Sequence, residues 1–290
     1  MGKETRAIQV AIACSVIGAT TKFIVGFITG SMSMISSAVD SLGDLFISIV
    51  NLFVVRLSDA APDSDHNYGH AKIEGLGAMF EGGFIFAAGV FIIYEAIHKI
   101  TVDEVSHDSV LGIFVMLPLL AMTFATVLYL RKVAKETGSL VIKADALHYM
   151  TDVYVNIGVL VSLILVKLTG KPVVDSVISI GIALYMLYSS IHVVLEGFGV
   201  VMDKSLEPAV VKQLTGVLSD SKRILSFHDF KTRAGKIPHV DFHVVVAADM
   251  TAKEVHDVYA EMRDKMRAIV GPQTKVLMHA DPAGEMEEKA

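Results

Sequence analysis

Residues 110–130 read Val-Leu-Gly-Ile-Phe-Val-Met-Leu-Pro-Leu-Leu-Ala-Met-Thr-Phe-Ala-Thr-Val-Leu-Tyr-Leu, without one charged side chain. A helix of about 20 mostly apolar residues crosses the hydrocarbon core of a bilayer. The stretch therefore reads as a membrane span, and five more of that length flank it: residues 7–29, 34–57, 75–98, 140–168 and 174–196. Backbone amides cannot go unpaired in lipid, so all six are expected to be helices. The first is too long for the apolar part of a cleaved signal peptide and carries Lys22 within it.

Composition agrees. Of 290 residues, 53% are hydrophobic and only 19% are charged. Soluble domains hold about 25% charged residues. The apolar excess ends near Gly199, and the sequence after Ser205 is that of a soluble domain. The expected division is a six-helix transmembrane domain over residues 1–204 and a separate domain over 205–290. The net charge of −6 argues against a nucleic-acid partner. The one cysteine, Cys14, excludes a disulfide framework and a cysteine-rich zinc finger.

Lysine and arginine set the orientation. Lys3, Arg6, Arg56, Lys72, Arg131, Lys132, Lys135, Lys143 and Lys204 fall on one side of the six spans, and Lys99, Lys167 and Lys171 on the other. Both termini and the second domain are expected in the cytoplasm, which makes the chain a multi-pass protein of the inner (plasma) membrane.

The second domain has its own pattern. Residues 207–219 show helical spacing, 224–233 and 240–247 read as strands, and 275–279 as a third short strand. Residues 251–269 form an amphipathic helix opened by Thr251 with Glu254 three residues on, a capping box. The order αββαβ predicts a small α+β sandwich.

The chemistry lies in polar residues within the apolar spans. The second span carries Asp40 and Asp44, and the fifth carries His148 and Asp152. Each pair is spaced i, i+4 and shares one helix face. An ionisable group at mid-membrane costs about 2.5–3.5 kcal/mol on insertion scales, so such groups face each other or a cavity. One imidazole and three carboxylates match the N/O ligands of tetrahedral Zn²⁺; hydrogen bonding between helices is the other use. A second cluster, Asp63, His66 and His70, lies in the loop after the second span and reads as a metal site or a solvated polar loop. A third set is spread over the second domain: His228, His243, His256, His279 and Asp281, a metal site or plain surface residues. Asn51, Asn156, Glu81 and Lys22 are the remaining polar residues of note in the spans. Asn51 and Asn156 sit on the acid-bearing faces, Glu81 is a candidate for lining a water path, and Lys22 either snorkels or pairs with an acid.

The pattern Asp40-x3-Asp44 with His148-x3-Asp152 resembles the cation diffusion facilitator family. So do Asp63-x2-His66-x3-His70-Ala-Lys72, Met202-Asp203, His228-Asp229 and His279-Ala-Asp281. The likeness covers nearly the whole chain and is strongest to the bacterial zinc/proton antiporters. It implies a homodimer in the lipid bilayer with a ferredoxin- or metallochaperone-like cytoplasmic domain. It also implies alternating-access export of Zn²⁺ with protons as counter-substrate and no organic cofactor. By this resemblance Asp40, Asp44, His148 and Asp152 form the transport site, and Asp63, His66 and His70 form a loop site. His228, His243, His256, His279 and Asp281 build a binuclear site, and Lys72 and Asp203 form a charge interlock near the dimer interface. Ala280 departs from the pattern, which has a polar residue beside the domain's metal.

Other metals (Fe²⁺, Cd²⁺ or Mn²⁺) and a membrane metal sensor are the alternatives. An enzyme is not expected: the chain has no His-Glu-x-x-His, and a four-ligand site leaves no position for a catalytic water.

Overall fold

The computed structural model describes residues 2–29, 32–102, 110–169 and 173–284, and the chain forms two compact units that divide between residues 198 and 199. The first unit is built from α1 (Lys3–Thr29), α2 (Met32–Ser58), α3 (Ile73–Val102), α4 (Val110–Thr137), α5 (Leu140–Thr169) and α6 (Val173–Val201). Each contains an expected span. α4 runs on through Arg131, Lys132 and Lys135 to Thr137, because hydropathy marks where the chain leaves lipid and not where its backbone bonds end.

Among the described residues five segments are long and apolar enough to cross a membrane: Lys3–Ile28, Asp40–Ser58, Ile73–His98, Met116–Thr137 and Val173–Val201. α5 is a 30-residue helix that carries Lys143, Asp145, His148 and Asp152 in its first half and an apolar run in its second. Phe27, Phe53, Phe91 and Phe114 are exposed, as lipid-facing side chains would be.

α1, α2, α4 and α5 share a core that includes Ile8, Val55, Val127, Leu130, Ile142 and Val153. Tyr149 pins the rotation of α5 within it. Its hydroxyl donates to the Ala11 carbonyl at 3.1 Å and bonds the hydroxyls of Ser15 at 2.6 Å and Ser48 at 3.0 Å. Three helices thus converge on one phenol next to His148. α3 and α6 meet at glycine: a Cβ at Gly197 would lie 2.5 Å from the Gly75 carbonyl oxygen.

The second unit contains α7 (Pro208–Ser219), β1 (Ser226–Arg233), β2 (His239–Val246), α8 (Ala252–Val270) and β3 (Lys275–Pro282). The sheet order is β1-β2-β3, with β1 antiparallel and β3 parallel to β2. This is the expected αββαβ fold, with β3 three residues longer than its apolar signal. The Thr251 side chain accepts from the Glu254 amide, and Glu254 returns a bond to the Thr251 amide at 2.8 Å, which fixes the start of α8. Val240, Phe242 and Val244 of β2 alternate inward and pack with Leu214 and Leu218 of α7 and Val258, Met262 and Met266 of α8. The intervening His239, Asp241 and His243 therefore lie on the face away from the helices.

Candidate metal centres

Among the described residues three groups of nitrogen and oxygen ligands come together, two in the first unit and one in the second. In each, the ligand atoms lie within 4.8 Å of one another.

Inside the helical bundle these are Asp44, His148 and Asp152. The His148 Nε2 stands 3.1 Å from Asp44 Oδ1 and 3.9 Å from Asp152 Oδ2. His148 is buried, while its side-chain partners Asp44 and Asp152 keep 23% and 32% exposure. The site is thus anchored on one side and reachable on the other. Asp40 does not join this group. It lies one turn, about 5.4 Å, before Asp44 on α2, and its side chain is exposed. Lys22, bonded to Ser41 Oγ at 2.9 Å and to the Ser37 carbonyl at 3.4 Å, ties α1 to this end of α2.

The loop between α2 and α3 folds around Asp63. Its Oδ1 accepts from the amides of Asp65 at 3.0 Å and His66 at 2.6 Å. Those amide bonds, that of His66 foremost, hold the Asp63 carboxyl below the usual carboxylate range. Gly69, at φ 81°, turns the chain so that His70 comes back over the same carboxylate. The ring nitrogens of His66 and His70 each stand 3.3 Å from Asp63, and the two rings are 4.5 Å apart.

In the second unit the register sets His228, His243 and His279 side by side in one row across all three strands. Neighbouring rings are 5.0 and 4.7 Å apart. A β-bulge between His228 and Lys231, with Asp229 at φ 50°, shifts the alternation of β1. It lets Phe227 and Phe230 both pack on the core while His228 faces the row. Asp281, two residues beyond His279, turns its two oxygens to different partners. Oδ2 lies 3.7 Å from His228 Nε2 and 3.4 Å from His243 Nδ1, and Oδ1 lies 3.3 Å from His279 Nε2. The split fits a carboxylate able to bridge two ions.

His256 is not brought to this row. It is exposed on α8, and α8 covers the opposite face of the sheet. Spacing could not reveal this, since the partition depends on which sheet face the helix covers. Ala280 packs toward the core beneath the sheet, on the other side from His279 and Asp281, so the departure noted there does not alter the ligand face. Lys72 is exposed in the loop before α3, and Asp203, at φ 55°, pairs with Arg233 at 3.5 Å.

Asn156 bonds its own helix, donating to the Asp152 carbonyl at 2.7 Å. Asn51 and Glu81 join Asp145 in a buried group. Asp145 carries no role in the sequence reading. The signal was available, an acid three residues before His148 on the same helix face, but near a span's end it looks like an ordinary interfacial charge.

Residues 8–202 match the profile of the cation efflux transmembrane domain, and residues 206–283 that of the cation efflux protein cytoplasmic domain. The cation-efflux pump FieF of Yersinia pestis (strain Pestoides F) is 33% identical over 255 residues, spanning 88% of this chain and 84% of its own. The FieF pump of Yersinia pseudotuberculosis serotype O:3 (strain YPIII) is similar to the same extent. A solved structure of CzrB in its zinc form is 31% identical over 29% of this chain and 96% of its own, with a TM-score of 0.26. The chain therefore belongs to the cation efflux, or cation diffusion facilitator, family.

Proposed function

We propose that the chain exports Zn²⁺ from the cytoplasm in exchange for protons, by alternating access, with residues 1–204 carrying the ion and residues 205–290 forming a cytoplasmic dimerising domain. The observation that carries this reading is the Asp44–His148–Asp152 group, one nitrogen and two carboxylates gathered inside a helical bundle. Three ligands leave one position of a tetrahedral zinc open. Asp40, one turn away on the same face of α2, is the acid that completes it. Fe²⁺, Cd²⁺ and Mn²⁺ would use the same groups, and the borderline nitrogen favours zinc.

The chain's residues couple ion to proton by competition. A ligand binds metal only when deprotonated, so protons arriving at His148 and its carboxylates from the acidic side displace the ion. In proteoliposomes carrying a trapped zinc dye, a gradient acid on the release side is expected to speed zinc transport several-fold. A protonophore abolishes the gain, and zinc movement shifts a trapped pH indicator the opposite way. Zinc flux that ignores the gradient and moves no proton would replace antiport with uniport through the same ligands.

The loop site and the histidine row would hold zinc as resident ions. Lys72 and Asp203, matched to the family only by resemblance of sequence, are assigned to a charge interlock in the proposed homodimer. In the row, Asp281 faces all three histidines, so His243→Ala with Asp281→Ala removes two of four ligands. Metal analysis of the purified double variant is expected to show less zinc per chain than wild type, with a weaker dimer. Zinc flux is expected to persist in part, because the transport group is untouched. Wild-type metal content together with a wild-type dimer would dismiss the row as a metal site.

A further inference from the structure

Next to His148 lies a buried polar group to which the transport reading gives no task. Glu81 of α3, Asp145 of α5 and Asn51 of α2 are each fully buried. The Asn51 Nδ2 donates to Glu81 Oε2 at 3.1 Å and to Asp145 Oδ1 at 3.2 Å. Those two bonds use both hydrogens of the amide. Asn51 Oδ1, Glu81 Oε1 and Asp145 Oδ2 remain buried without a hydrogen-bond partner, and the one Asn51 nitrogen, by binding an oxygen of each, sets the two carboxyl groups side by side.

Two ionised carboxylates this close, away from water, repel and each lose solvation. An ionised carboxylate only accepts hydrogen bonds, so a bond between two carboxyl groups requires one of them to carry a proton. The carboxyl pair is therefore short of one donor and holds one negative charge too many, and a single proton shared between the two corrects both. The titratable groups facing the pair are His148 and Asp152 on α5, Asp44 on α2, and Tyr149, which acts on Asp145. Asp145 precedes His148 by three residues, which puts their Cβ atoms about 5–6 Å apart on one helix face. The His148 ring nitrogen is turned to Asp44, so the pair senses the transport site through space. A divalent cation there makes a proton on the pair less favourable, and its departure makes the proton favourable again.

We propose that Glu81 and Asp145 share one exchangeable proton, and that this pair is a second proton-binding site, emptied when a divalent cation occupies the Asp44–His148–Asp152 group. The proton leaves to water through the partly exposed transport site and returns by the same route. The proposal rests on the antiport reading above and adds to it a proton held outside the metal ligands.

The test is zinc titration of the full-length protein in detergent, by calorimetry in buffers of different ionisation enthalpy, which gives protons released per zinc bound. Wild type is compared with Glu81→Gln and Asp145→Asn; the loop and row sites are common to all three and cancel. Each variant is expected to release up to about one proton fewer per occupied transport site, since the pair titrates as a unit. If wild type releases protons and both variants release the same number, the pair is not a proton site and antiport stands. If wild type releases none, antiport fails and the proposal with it. Infrared spectroscopy on zinc-free protein gives a readout that does not depend on the variants folding. The carbonyl band of a protonated carboxylic acid is expected in wild type, and zinc is expected to diminish it. Its absence from wild type overturns the proposal.

Discussion

Asp44→Asn in reconstituted protein is expected to reduce zinc flux at least about 100-fold. Losing a mere orienting partner of a metal ligand costs about 10–100-fold, and Asp44 is placed as a ligand itself, its Oδ1 3.1 Å from the His148 ring nitrogen. Asparagine keeps the shape but removes the charge, so the helices should pack as before while the site loses one of its two close carboxylates. Asp152→Asn should behave alike. Asp40→Asn should cost less, because Asp40 stands one turn off and exposed. Stopped-flow flux and zinc binding on the same preparations check all three. Near wild-type flux in Asp44→Asn would remove this group as the transport site, and equal losses at Asp40 and Asp44 would show that all four groups bind together.

His148→Asp should change which metal is carried. The imidazole is the only nitrogen in the group, and it makes the site borderline; hard cations such as Mn²⁺ prefer oxygen. An all-oxygen set is expected to shift the Zn²⁺/Mn²⁺ flux ratio toward manganese by roughly tenfold, equivalent to about 1.4 kcal/mol of relative affinity. Zinc transport should fall and manganese transport should rise or hold. Parallel flux measurements with both ions on both proteins decide the matter, and an unchanged ratio would count against His148 as a ligand. The row in the second unit serves as an internal control, because its three histidines are untouched and its zinc content should not move.

The bilayer part of the fold was legible in residues 110–130 and its five companions because lipid imposes one rule on every span, length and apolarity, that a sequence carries directly. The αββαβ order of the second unit was legible for a similar reason: strand alternation and the Thr251–Glu254 cap are local. Asp44, His148 and Asp152 could be singled out because an ionisable group in an apolar span is costly enough to demand a partner.

Tertiary structure decided which partner. Asp40 and Asp44 share a helix face and are indistinguishable by spacing, yet only Asp44 reaches His148, because α2 and α5 meet at that turn. His256 matches the other histidines in kind, but α8 covers the sheet face opposite the row. Asp281 acquires its place from the parallel pairing of β3 with β2, a contact that no local pattern encodes. Asp145 shows the converse. Near the end of α5 it reads as an interfacial charge, and only the packing of α2, α3 and α5 around it, with Asn51 as the shared donor, turns it into a buried acid beside Glu81. Sequence states which residues must avoid lipid and water alike; the helix contacts state where each one ends up and beside what, because burial and pairing are properties of neighbours that lie far apart along the chain.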